Sequence, residues 1–109
     1  MKNNFIESIK DKKSINNILI SKNTIWTKKF KFIYEKNNLE KIRFIIFVPK
    51  KLFKLAVKRN KIKRQIRDIL LTFKKIKSFD VGILILKNYK PDDFLETKNK
   101  LHEILNNLR

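Results

Sequence analysis

Two short apolar runs, Phe44–Val48 and Val81–Leu86, bracket a stretch in which Ile62, Ile66, Ile69, Phe73 and Ile76 recur at spacings of 4, 3, 4 and 3. That period is helical, and it leaves a single apolar stripe that has to be buried against another layer. Each flanking run has the length of a strand. Arg43 to Val48 is apolar on both faces, which places it in the interior of a sheet with cover on either side. Strand, helix and strand in this order form a crossover unit, with the helix laid across the sheet.

The rest of the chain adds elements around that unit. Asp11 to Ile20 carries Ile15, Ile18 and Leu19 at helical spacing, with Asp11 and Ser14 as the candidate caps. Trp26 to Tyr34 switches to period two: Trp26, Phe30, Phe32 and Tyr34 share one face, and Lys29, Lys31 and Ile33 share the other. Four aromatics on one face read as core. Lys36-Asn37-Asn38 is a turn signal. After Pro91 a last helix is expected, capped reciprocally by Asp93 and Glu96, with Phe94, Leu101, Ile104, Leu105 and Leu108 on its buried face. The expected order is α-β-β-β-α-β-α, an α+β two-layer sandwich with a central sheet. No repeat, linker or composition break divides residues 1–109, so they read as a single domain.

Several chemistries lack raw material. Cysteine is absent and His102 is the only histidine, so disulfides, thiolate catalysis, zinc sites and histidine triads are excluded. Asp92 and Asp93 could mimic a metal pair, but a helix N-terminus accounts for them more simply. The reading is therefore no catalytic residue and no metal ligand in the protein, with His102 at the surface of the last helix. The apolar runs fall well short of the roughly 18 residues a membrane span needs. The start, Met1-Lys2-Asn3-Asn4-Phe5, lacks the apolar stretch of a signal peptide. A cytoplasmic protein with no membrane partner is expected.

The charge has to be met elsewhere. With 28 Lys or Arg against 10 Asp or Glu, the 109-residue chain carries a formal +18. Of the basic residues 23 are Lys and 5 are Arg, in a sequence crowded with Lys, Asn, Ile and Phe. Where lysine is the default, the positions of arginine carry more information than the total. Arg59, Arg64 and Arg67 fall within nine residues, and Lys50 to Lys77 holds twelve basic residues against the single acid Asp68. At about 100° per residue, Asn60, Lys63, Arg64 and Arg67 project opposite the apolar stripe, with Arg59 at the border. Arginine grips two phosphate oxygens in a fork, lysine adds a mobile point charge, and asparagine both donates and accepts. Such a face suits a polyanion.

The segment Val48-Pro49-Lys50-Lys51, followed by Ala56-Val57-Lys58-Arg59-Asn60-Lys61-Ile62-Lys63-Arg64-Gln65-Ile66-Arg67-Asp68, resembles the signature of the bacterial ribonuclease P protein subunit. That signature is a lysine pair, a short spacer, an alanine, then Arg-Asn-x-x-Lys-Arg-x-x-Arg leading into a helix. Element order and length agree, so the resemblance spans nearly the whole chain. It implies a left-handed crossover, a fold shared with a domain of a small-subunit ribosomal protein, and an accessory role in a ribonucleoprotein endoribonuclease. In that enzyme an RNA, using Mg2+, removes the 5′ leader of precursor tRNA. The implied partners are the catalytic RNA and precursor tRNA, and not DNA. The implied RNA-binding residues are Lys50, Lys51, Arg59, Asn60, Lys61, Lys63, Arg64 and Arg67. A leader cleft between the first helix and the sheet would hold Ile15, Leu19, Lys29, Lys31 and Ile33.

Some positions depart from the family pattern. Lys61 replaces an arginine, and Ile15 and Leu19 align with positions where phenylalanines are usual. Ile45 and Phe47 replace a glycine and a hydroxyl residue, and Pro49 a small residue. Phe47 reads as a packed core aromatic. The competing reading is a small basic ribosomal protein of similar fold. Against it, such proteins generally add long basic tails, whereas this chain ends in an ordered-looking helix.

Overall fold

The computed structural model describes residues 5–109. Its elements are β1 (Ile6–Ser8), α1 (Lys12–Ile20), β2 (Thr24–Trp26), β3 (Phe30–Lys36), β4 (Ile42–Phe47), α2 (Ala56–Leu71), β5 (Phe79–Ile85), a 3-10 turn (Pro91–Asp93) and α3 (Phe94–Asn107). Among the described residues the strands form one five-stranded sheet in the order β1-β4-β5-β3-β2. β4 runs parallel to both β1 and β5, while β3 is antiparallel to β5 and to β2. α2 bridges the parallel neighbours β4 and β5, which makes it the crossover helix. The mixed α+β architecture is as expected, with one strand more: β1 precedes α1.

Alternation along the strands divides the protein into two layers. Phe30, Phe32, Ile42, Phe44, Phe79, Val81, Ile83 and Ile85 face α2 and α3, and bury Ile62, Ile66, Ile69, Leu70, Leu101, Ile104 and Leu105 in one core. The opposite face carries α1. There Ile9, Ile18 and Ile33 form a smaller cluster, edged by the half-buried Ile15, Ile45 and Phe47.

Four local expectations change. The stretch Trp26 to Tyr34 is two strands rather than one. Thr27 breaks it, its Oγ1 accepting from the N–H groups of Phe30 (3.0 Å) and Lys29 (3.2 Å) and donating to the Phe30 carbonyl (2.9 Å). The chain reverses, Trp26 pairs with Lys31, and the indole lands on the α1 face, away from Phe30 and Phe32. The α2 stripe ends early. Thr72 Oγ1 turns back to the Ile69 carbonyl at 2.7 Å, Phe73 still reaches the core, and Ile76 is 54% exposed. His102 is half-buried rather than superficial, donating from Nε2 to the same Ile69 carbonyl at 2.9 Å with its ring edge-on to Phe73. The reciprocal cap of α3 is replaced too. Asp93 accepts from the Lys90 N–H at 3.1 Å, Asp93 and Glu96 both bind Lys29 Nζ, and Phe94, expected on the buried face, is 36% exposed.

Candidate nucleic-acid interface

The loop entering α2 is built around one anchor. The Pro49 carbonyl accepts from the N–H groups of Leu52 (3.2 Å) and Phe53 (3.0 Å), and the Phe53 ring is buried in the main core. This turns Lys50 and Lys51 into solvent directly after β4. Arg59 locks the loop to the helix, its Nη1 donating to the carbonyls of Phe53 and Lys54, both at 2.9 Å. Its guanidinium therefore acts as a strut as well as a cation. Asn60, Lys61, Lys63, Arg64 and Arg67 are exposed. The remaining polar flank of α2 is committed inward, where Gln65 accepts from the Tyr89 hydroxyl and donates to the Pro91 carbonyl.

Electrostatics sharpens this face. Among the described residues every ion pair lies elsewhere: Lys29 with Asp93 and Glu96, Lys41 with Glu7, Arg43 with Asp11 and Asp80, Lys100 with Glu103. None of these pairs involves a basic residue from Lys50 to Arg67, and Asp68, the one acid on α2, is exposed and joins none of them, so that basic run stays uncompensated. Lys63 and Arg67 also border a 190 Å³ groove with Ser8, Ile9, Phe44, Ile45 and Ile46, which carries the basic face to the edge of β4.

The second face follows from strand register. Three rows of residues cross the sheet beneath and beside α1. The first is polar: Glu35, Asp80, Arg43 and Glu7. The second is Thr24, Ile33, Gly82 and Ile45. The third is Trp26, Lys31, Leu84 and Phe47. α1 sits on the second row at Gly82, where a Cβ would lie 2.5 Å from Ile18 Cγ2. The lone glycine is there to let a helix approach, since its backbone has no positive φ.

Both ends of α1 are pinned. Asp11 caps it, accepting from the Ser14 N–H at 2.9 Å, and the Ser14 hydroxyl together with that N–H holds the Asp11 carboxyl below its usual range. Arg43 donates to Ser14 Oγ (3.1 Å) and in a fork to the buried Asp80 (2.9 and 2.6 Å), which Asn37 also reaches at 2.7 Å. The Asp80 bonds raise the guanidinium further above its ordinary value. At the far end Ser21 Oγ donates to the Tyr34 carbonyl at 3.0 Å. Asn17, Ile20 and Ser21 border a 520 Å³ recess over the polar row with Glu35 and Asp80. On the helical wheel Ile15 and Leu19 fall on the opposite flank of α1, toward the third row.

Of the residues expected in a cleft, Ile15, Leu19, Lys31 and Ile33 thus gather on this face, Ile33 beneath the helix and Leu19 56% exposed. Lys29 does not. It lies in the β2–β3 turn and its Nζ is 3.0 Å from Asp93 and 2.9 Å from Glu96, across on the α3 side. Those acids raise the Lys29 ammonium value, Glu96 contributing most. Trp26, Leu84 and Phe47 are cleft-facing residues that sequence periodicity assigned to the core or left unassigned. The signal available for Trp26 was Thr27, a turn-forming residue within an apparent strand. Among the described residues no three His, Asp or Glu side chains gather where a metal ion could be held, and no helix is long and apolar enough to cross a membrane.

This arrangement is matched in known proteins. The family model described as Ribonuclease P matches residues 5–109. The chain belongs to the ribonuclease P protein family. It is 38% identical over 90 residues to the ribonuclease P protein component of Mycoplasmopsis pulmonis, covering 81% of this chain and 78% of that one. It is 32% identical over 103 residues to that of Ureaplasma parvum, covering 94% and 90%. Among solved structures, the ribonuclease P protein of Thermotoga maritima superposes with a TM-score of 0.79 at 23% identity, over 94% of this chain and 97% of that one. The Staphylococcus aureus ribonuclease P protein gives 0.73 at 27%, over 91% and 92%. The relatives carry no support for a ribosomal protein.

Proposed function

We propose that the two faces divide the labour of the ribonuclease P protein subunit. Membership of the family makes this chain the RNA-binding protein subunit of a ribonucleoprotein endoribonuclease. In our reading residues 1–109 act as one RNA-binding domain in the cytoplasm. Lys50, Lys51, Asn60, Lys61, Lys63, Arg64 and Arg67 bind the catalytic RNA, with Arg59 holding the loop in place. The cleft between α1 and the third row of the sheet takes the 5′ leader of precursor tRNA. Magnesium belongs to the RNA-based chemistry, and the protein contributes binding and orientation.

The observation that carries this reading is the uncompensated charge of α2. A folded protein whose ion pairs all lie elsewhere, and which leaves a fork-capable arginine cluster in solvent, has a surface matched to phosphate. The test is reconstitution. Added to a bacterial ribonuclease P RNA at limiting magnesium, the chain should restore cleavage of precursor tRNA, and alone it should cleave nothing. Binding should weaken steeply with salt, each neutralised phosphate adding roughly 0.7–0.9 to the log–log slope. A flat salt response, or no rescue of cleavage, would refute the assignment.

A further inference from the structure

We propose that Trp26 stacks on an unpaired base of the leader, supplying from the edge of the sheet an aromatic contact that α1 lacks. This rests on the leader reading above and names the residue that would do the gripping. Trp26 ends the three-residue edge strand β2 and is 62% exposed, although the chain has only this one tryptophan. An indole left open at a sheet edge is not needed by the core, which Ile25 serves from the same strand. Its neighbour across the strand pair, Lys31, holds its ammonium 4.8 Å from the ring centroid. That cation steadies the ring on one side and stands where it can pair with a phosphate next to a base stacked on the other side.

The rest of the row continues the same chemistry. From Trp26 the register leads through Lys31 and Leu84 to Phe47, which ends β4 next to the lysine turn at Lys50 and Lys51. Three inter-strand steps put the two aromatics about 14 Å apart. Phe47 is half-buried, with Cε2 3.5 Å from the position a Gly82 Cβ would take, so its ring is mostly committed to packing under α1. Trp26 is the open one. Lys31 flanks the row at the Trp26 end and the exposed Lys50 and Lys51 follow it beyond Phe47, while Glu35, Asp80 and Glu7 lie two rows away with α1 between. Aromatic surface plus unopposed positive charge selects single-stranded nucleic acid over an acidic or apolar protein, because bases need the ring and phosphates need the lysines. With Ile15 and Leu19 on the helix side, the cleft offers apolar contact there and stacking only from the sheet.

A single tryptophan makes the proposal directly measurable. The 109-residue chain is titrated with an end-labelled single-stranded RNA of leader sequence, following tryptophan emission and label anisotropy together. We expect saturable quenching that tracks the anisotropy rise. Trp26→Ala should weaken binding at least fivefold and Trp26→Phe should recover most of it, with melting temperatures unchanged. Anisotropy that rises while emission stays flat would overturn the stacking role and leave leader binding in place. Absence of any anisotropy change would overturn leader binding itself. An emission shift that follows protein concentration without RNA would make the patch a contact between copies of the chain and would also overturn the proposal.

Discussion

Gly82→Ala tests the geometry on which the cleft depends. The added Cβ would sit 2.5 Å from Ile18 Cγ2, and Ile18 is fully buried on the sheet side of α1, so neither side chain can swing clear. The helix has to lift or the strand has to bow. Overpacking of this kind costs about 1–3 kcal/mol. For a chain of this size that is a fall in melting temperature of roughly 4–8 °C for each kcal/mol. The contact can be isolated because leucine keeps the volume of Ile18 but removes the branch that carries Cγ2. In the wild-type background Ile18→Leu should cost less than about 1.5 kcal/mol. Combined with Gly82→Ala it should relieve strain, so the double variant should be more stable than the sum of the singles by at least about 1 kcal/mol. Urea unfolding of the four proteins supplies the cycle. Additivity within about 0.5 kcal/mol would refute the argument, and the distance between α1 and the sheet would then have some other origin.

Replacing Arg64 and Arg67 together by lysine keeps the charge and removes the forked contacts, so assembly with the catalytic RNA should weaken at least tenfold, about 1.4 kcal/mol, with an unchanged melt. Filter binding that matched the parent would dissolve the arginine site. Arg43→Met leaves Asp80 buried with Asn37 as its remaining side-chain partner and should cost about 3 kcal/mol. Adding Asp80→Leu should return much of that in a urea melt, whereas a further loss equal to the first would rule out the pair as the cause. Burial pushes the Tyr89 phenol from 10.0 up to about 12. Its folded-state pKa is the higher one, so its contribution is complete below pH 10 and drains away as pH rises toward 12, a loss of about 2–3 kcal/mol. Tyr89→Phe should therefore flatten the alkaline limb of stability, and parallel curves for the two proteins would contradict it.

The helix α2 was legible because its pattern is strong and local: four of the five stripe residues are buried, and the basic side chains opposite them are exposed. Its end was not, since Thr72 stops the helix through hydrogen bonds to Asp68, Ile69 and His102 that no periodicity encodes. β1 escaped notice because three residues make no pattern and its partner, β4, lies far along the chain. The cleft was half legible. Ile15 and Ile33 do lie between α1 and the sheet, but Trp26 and Lys29 fall on faces other than those a period-two count gives them. Running two strands together across Thr27–Lys29 carries a period-two count through a turn, which puts Trp26, before it, on the wrong side and gives Lys29, within it, a strand face it does not have. Gly82 could be seen in the sequence, yet its purpose depends on a helix some sixty residues earlier.

β4 alternates between the two layers: Ile42, Phe44 and Ile46 look toward α2, and Arg43, Ile45 and Phe47 toward α1. Losing or gaining one residue there would exchange the two sets. Arg43 would be driven into the oily layer with no acid to meet it, and Phe47 would leave the cleft floor. Descendants of this chain can therefore change the letters of residues 42–47 far more freely than their number. Length variation is better accommodated just upstream at residues 37–41, outside the ladder, where Glu40 already adopts a φ of 55°. A spacer count that stays fixed between this segment and the lysine pair, through sequences otherwise drifting apart, is the inheritance such a two-faced strand should leave.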